Sequence, residues 1–223
     1  MRWVSASPSP SGFGTGIYSF SEAARILALR SPALRTGTVR RWVTSELTPP
    51  NFGKADAWGS LLSFHDLVSL DVIRRFRDLD VSLQRLRKLE VKLREVFPDV
   101  ARPFAHRIFF TDGASVWVGL GESTDVIELI GKRPGQYAWC SAIQAFADEI
   151  RFGSHDQAIA WELSEHIEVD PAIQFGEPVV KGTRLPISVI TSELEASHSA
   201  EEIADWHAID VEDVRDVQLF LAA

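Results

Sequence analysis

Helix-start signals govern this sequence. Ser19, Ser63 and Ser199 are each followed three residues later by a carboxylate: Glu22, Asp66 and Glu202. A serine hydroxyl takes the amide of the third helical residue, and the carboxylate reaches back to the serine amide. Two donors that every helix start leaves open are thereby satisfied. The first start predicts a helix from Ser21 to about Leu29, with Ala23, Ala24, Ile26 and Leu27 at helical spacing and Ser31-Pro32 as its stop. A second short helix, Gly37 to about Thr44, has Thr36 as its cap and Val39, Trp42 and Val43 facing inward. Ser63 opens a third, from Phe64 to about Phe76. A fourth runs beyond Asp80 to about Phe97. Leu79, Leu86, Leu89, Leu93 and Val96 fall in one heptad frame, interrupted at Ser82. That stripe must be buried, either inside its own domain or against a second copy, and a homodimer is the expected state.

Pro98 and Pro103 end this helical half. Strand-like runs follow: Arg107–Phe110 and Val116–Val118 flank Asp112-Gly113, a hairpin signal, and Val126–Ile130 comes next. Ala138–Ile150, with Trp139, Ile143 and Phe146 three to four apart, reads as helix, and Ala158–Leu163 as a short strand. Ile167–Asp170 enters a turn at Pro171. Gly176–Pro186 is turn-rich around Val179 and Val180, with Gly176 and Gly182 suited to positive φ. Three helices close the chain: Ile187–Ala196, Ala200–His207, and Val211–Leu221 behind Asp210. The fold class is therefore mainly α with a small α+β middle segment. The expected divisions are a Ser/Pro/Gly-rich tail over 1–16, a helical domain over 17–98, the middle segment over 99–163 and a C-terminal three-helix, helix-turn-helix-like domain over 164–223.

Charge is divided unevenly between the halves. Residues 1–107 hold 17 Lys and Arg against 10 Asp and Glu, whereas residues 108–223 hold 6 against 21. The resulting balances, +7 and −15, make the first half the part that would meet a polyanion such as nucleic acid. The lone cysteine, Cys140, leaves no internal disulfide and reads as a small buried hydrophobe. No apolar run reaches the ~18 residues of a membrane span, and the N-terminus has no signal-like apolar region. A cytoplasmic setting is expected. His198 and His207 lack helical metal spacing, and no catalytic carboxylate pattern stands out, so neither metal, cofactor nor enzymatic activity is expected.

Arg35, Thr36, Thr38, Arg40 and Arg41 cluster at the start of the second helix. Helix N-termini and arginines suit phosphates, and arginine also reads guanine edges. Trp42 shares a face with Val39 and reads as core. In the Pro49–Gly59 loop, Lys54 and Trp58 could contact a nucleic-acid backbone or simply pack.

Two segments resemble known families. The run Ile17-Tyr-Ser-Phe-Ser-Glu-Ala-Ala, then Thr38-Val-Arg-Arg-Trp42, Leu62-Ser-Phe-His-Asp-Leu67 and Leu83-Gln-Arg-Leu-Arg87 resemble the MerR-like winged helix-turn-helix. That resemblance implies a second helix in the DNA major groove and a wing, carrying Lys54, on the backbone. Val169-Asp-Pro171, Phe175-Gly-Glu-Pro-Val-Val-Lys-Gly-Thr-Arg-Leu-Pro186 and Ser199-Ala-Glu-Glu-Ile203 are similar to domain of unknown function 433. The combination resembles VapB-type antitoxins encoded beside PIN-like ribonuclease toxins. It implies an antitoxin that represses its own operon and silences a toxin. Lys181, Thr183 and Arg184 then read either as a structural turn or as a basic finger toward the toxin's carboxylates. Arg215 is a further basic candidate, and Trp206 and Ile203 are candidates for apolar contact. The alternative reading is a MerR-like regulator that senses a ligand through the middle segment.

Overall fold

All three serine caps are made. Glu22 N–H donates to Ser19 Oγ at 3.2 Å and Ser19 N–H to the Glu22 carboxylate at 2.7 Å. Ser63 with Asp66 and Ser199 with Glu202 repeat the arrangement. The computed structural model describes residues 16–44, 61–100, 102–107, 109 and 145–222. The expected tail, the Pro49–Gly59 loop with Lys54 and Trp58, the Asp112-Gly113 turn, Val126–Ile130 and Cys140 lie outside these residues.

The elements are α1 (Phe20–Ala28), α2 (Thr36–Thr44), α3 (Phe64–Asp78), α4 (Leu83–Val96), β1 (Ile150–Phe152), β2 (Ala158–Glu162), β3 (Ile167–Val169), β4 (Val179–Val180), α5 (Ile187–Glu195), α6 (Ala200–His207) and α7 (Val211–Ala222). The described structure is mostly helical with one small antiparallel sheet in the order β1-β2-β3-β4. Register pairs Ile150 with Trp161, Trp161 with Val169, and Ile167 with Val180. The sheet crosses the division expected between residues 163 and 164. β1 and β2 precede that point and β3 and β4 follow it, so the middle stretch supplies half of the sheet on which the C-terminal helices rest.

Several local expectations need correcting. Thr36 is the first residue of α2, not its cap: the Arg35 carbonyl already accepts from the amides of Thr38 and Val39. Arg107 lies in a helical turn and not in a strand, its amide spent on the Asp156 carbonyl. Ile150 leaves the helical stretch before it to open β1, where Trp161 pairs with it.

The α4 stripe is corrected as well. Leu86, Leu89 and Leu93 are buried within their own chain, while the ends of the heptad frame, Leu79 and Val96, are 38% and 42% exposed. They join one apolar core that takes in Leu27, Leu67, Ile73, Phe76, Phe104, Trp161, Ile190 and Val214. The stripe is therefore spent internally and cannot be the seam between two copies. Removing two buried leucines forfeits about 1.5–3 kcal/mol each before the cost of burying charge is added. A Leu89→Lys, Leu93→Lys variant should lose its cooperative thermal transition. A folded monomer in sedimentation and circular dichroism would return the stripe to an intermolecular role.

Polar ties link the helical half to the sheet. Glu149 Oε2 meets Arg30 Nη2 at 2.5 Å, Arg75 Nη2 at 2.6 Å and Trp161 Nε1 at 3.4 Å. The Arg75 guanidinium also lies 4.1 Å over the Phe146 ring. His65 Nε2 lies 3.0 Å from the Ala158 carbonyl, and burial pushes the His65 pKa down, which favours the neutral ring. Tyr18 pairs with Leu62 through two backbone hydrogen bonds, and its hydroxyl donates to the Gly176 carbonyl at 3.0 Å.

Candidate functional site

What separates the basic side chains is which of them are already paired. Along α3 and α4 the cations are largely consumed. Asp71 takes Arg74 and Arg75, Glu90 takes Arg94, and Asp66 takes Arg102. On α2 the pattern reverses. Val39, Trp42 and Val43 are buried, so Arg35, Thr36, Gly37, Arg40, Arg41 and Thr44 form an exposed face, with Thr38 half-buried. Among the described residues Arg35, Arg40 and Arg41 make no ion pair, and Arg40 instead lies 5.4 Å over the Phe20 ring. The first turn of α2 has no acidic residue, and a Cβ on Gly37 would meet nothing within 4 Å. Three unneutralised guanidinium groups thus share an open helix face with amides that lack helical partners, an arrangement suited to polyanion phosphates. The sequence placed these residues together correctly. It could not show that the arginines of α3 are already bonded.

The C-terminal basic residues separate in the same way. Lys181 Nζ is held by Glu162 at 2.8 Å. Arg215 is held by Glu212 at 2.6 Å and Glu201 at 3.0 Å, and Arg151 by Glu168 and Asp170. Arg184 is exposed and, among the described residues, makes no ion pair. Thr183 is structural in this turn: its hydroxyl donates to the Val180 carbonyl at 2.7 Å and accepts from Leu185 N–H at 3.0 Å. Gly182 turns the chain at φ 75°, as the turn reading requires. Trp206 is 53% exposed and meets the His198 ring edge-on, with 4.7 Å between centroids. Ile203 is buried and belongs to the core. Of the named C-terminal candidates, Arg184 and Trp206 are presented outward and uncommitted, while Lys181 and Arg215 are neutralised in place.

One residue of this surface escaped the sequence reading. Phe175 is 72% exposed and sits at φ 56°, between Gln174 at 46° and Gly176 at 88°. A bulky residue held in the left-handed region costs about 1–3 kcal/mol, so a run of this kind persists only where its surroundings enforce it. The available signal was an aromatic residue immediately before a glycine inside a turn-rich stretch.

No group of three or more metal-ligating side chains occurs among the described residues. No described helix is long and apolar enough to cross a membrane.

The C-terminal part has a defined family likeness: residues 167–220 match the model described as "Protein of unknown function (DUF433)". A second similarity runs along nearly the whole length of the chain. It is 24% identical, over 95% of this chain and 96% of the other, to a Mycobacterium tuberculosis protein named "Putative antitoxin VapB45". The crystal structure of Rv2018 from Mycobacterium tuberculosis shares the fold, with a TM-score of 0.75 and 22% identity, covering 92% of this chain and 98% of that one.

Proposed function

We propose that this chain is the antitoxin of a type II toxin–antitoxin pair. In this reading it silences a PIN-like ribonuclease through its C-terminal region. It represses its own operon through α1 and α2, acting as a MerR-like helix-turn-helix with α2 in the major groove. It has no catalytic activity and needs no cofactor. The observation that carries the reading is the end-to-end similarity to a protein named as an antitoxin, which takes in both the helical half and the family-matched region.

The distribution of unpaired cations supports the division of labour. Arg35, just before α2, and Arg40 and Arg41 on it make no ion pair among the described residues, on the face where DNA would lie. Arg184 stands free in an acidic region, where a carboxylate-bearing protein would lie. A guanidinium fork fits carboxylates in bidentate fashion, so Arg184 is the group that would enter the toxin's metal-binding acids, with Trp206 adding apolar contact. Thr36, Thr38 and Lys54 are assigned to the DNA side, and Lys181, Thr183 and Arg215 to shaping the partner surface. The active form is a homodimer on an inverted repeat, with a seam other than the α4 stripe.

The test is co-expression of the tagged full chain with the product of the gene adjacent to its own. The two should purify as a stoichiometric complex that survives gel filtration at micromolar concentration. Separate elution would count against the toxin partner.

A further inference from the structure

We propose that Phe175 is the apolar anchor of the partner-binding surface, presented beside Arg184 on a loop already fixed in its bound shape. The inference deepens the antitoxin reading and rests on it. Phe175 is the most exposed large apolar side chain among the described residues, so packing against them offsets little of the cost of its left-handed backbone. The loop is nevertheless held on both flanks. Behind it, the Tyr18 hydroxyl donates to the Gly176 carbonyl, and the fit is so close that a Cβ at position 176 would overlap that hydroxyl. Beside it, Gln174 Nε2 donates to the Arg184 carbonyl at 2.9 Å, which ties the Phe175 loop to the turn bearing the unpaired guanidinium. Within it, Gly176 N–H donates to the Ile173 carbonyl and Glu177 N–H to that of Gln174.

An aromatic ring and an unpaired arginine, on two turns tied to each other, are the residue types that dominate binding energy at protein interfaces. Prior ordering removes much of the entropy that binding would otherwise cost. The charge around them selects the occupant. Among the described residues of a half whose net balance is −15, Arg184 is the one cation without an ion pair; such a surface repels nucleic acid and fits a protein that offers Phe175 an apolar pocket and Arg184 a carboxylate within an otherwise more basic surface. Tyr18 also lies just before the Ser19 cap of α1, so the same clamp ties this loop to the helix pair assigned to DNA.

The experiment measures affinity of the full chain for the protein encoded by the adjacent gene, together with the melting temperature of each variant alone. Phe175→Ala should weaken binding by about 30-fold or more, the level of an interface hot spot. Phe175→Asn, which tolerates left-handed φ, should weaken binding equally while raising the melting temperature. Tyr18→Phe, which is buried and touches no partner, should weaken binding several-fold by releasing the loop. Wild-type binding left unchanged by Phe175→Ala would overturn the anchor alone, and a lowered melting temperature in Phe175→Asn would show that the ring is structural. Absence of wild-type binding would overturn the antitoxin reading and this inference with it.

Discussion

Replacing Asp66 with alanine should cost about 3–5 kcal/mol of folding stability, a large share of what a chain of this size holds. Asp66 is fully buried at the start of α3 and serves three groups at once. Its Oδ2 accepts from the Ser63 amide and hydroxyl, each at 2.9 Å, and its Oδ1 accepts from Arg102 Nε at 2.7 Å. Arg102 is itself only 8% exposed. Removing the carboxylate opens the capping box and takes from the buried Arg102 guanidinium its 2.7 Å ion pair, with Glu90 as the neighbouring acid that remains. The capping loss alone is worth about 1 kcal/mol, so the lost buried ion pair is the larger part. Asp66→Asn, which keeps an acceptor for the cap, should be milder than Asp66→Ala. Urea unfolding measures both. Loss below about 1 kcal/mol in Asp66→Ala would mean that Arg102 reaches water or another acid at little cost.

Replacing Arg40 and Arg41 together should abolish operator binding at physiological salt. In a two-fold complex the double variant removes four cations. If a dimer makes roughly 6–10 phosphate contacts, wild-type affinity falls about 10³–10⁵-fold between 50 and 200 mM salt, and each lost contact flattens the log–log slope by about 0.9. The variant should therefore bind at least about 100-fold more weakly at moderate salt, with a visibly shallower slope. Neither side chain enters the core or an ion pair among the described residues, and the Arg40–Phe20 contact is worth about 1 kcal/mol at most, so the helical signal should hold and the melting temperature should change little. Electrophoretic mobility shifts on the segment upstream of the gene, repeated across a salt series, measure both quantities. An unchanged slope would remove α2 from the interface.

What the sequence revealed, and what it concealed, follows from the range of the interactions involved. Capping boxes are local, and Ser19, Ser63 and Ser199 located their helices to within a residue or two. The α2 cap was misplaced because Arg35 supplies only a main-chain carbonyl there, a role that leaves no mark on residue type. Heptad spacing showed that Leu86, Leu89 and Leu93 must be covered but not by what, since the same stripe suits a partner copy or the chain's own core. Short strands such as Val179–Val180 carry too little alternation to announce the sheet they complete. Pairing of charges was the largest gap. Lys181, Arg184 and Arg215 look equivalent in sequence. Only the fold brings Glu162 to the first and Glu201 to the third, leaving Arg184 free. Glu149 was equally silent, because its three partners lie just after α1, on α3 and on β2.

Antitoxin action is tested most directly by titrating the purified full chain into the ribonuclease assay of the protein encoded beside it. RNA cleavage should fall to background at a stoichiometric ratio. Arg184→Ala should leave substantial activity at that ratio, and Arg40→Ala, Arg41→Ala should inhibit as well as the wild type. Cleavage that continues undiminished in excess wild-type chain would contradict the antitoxin reading.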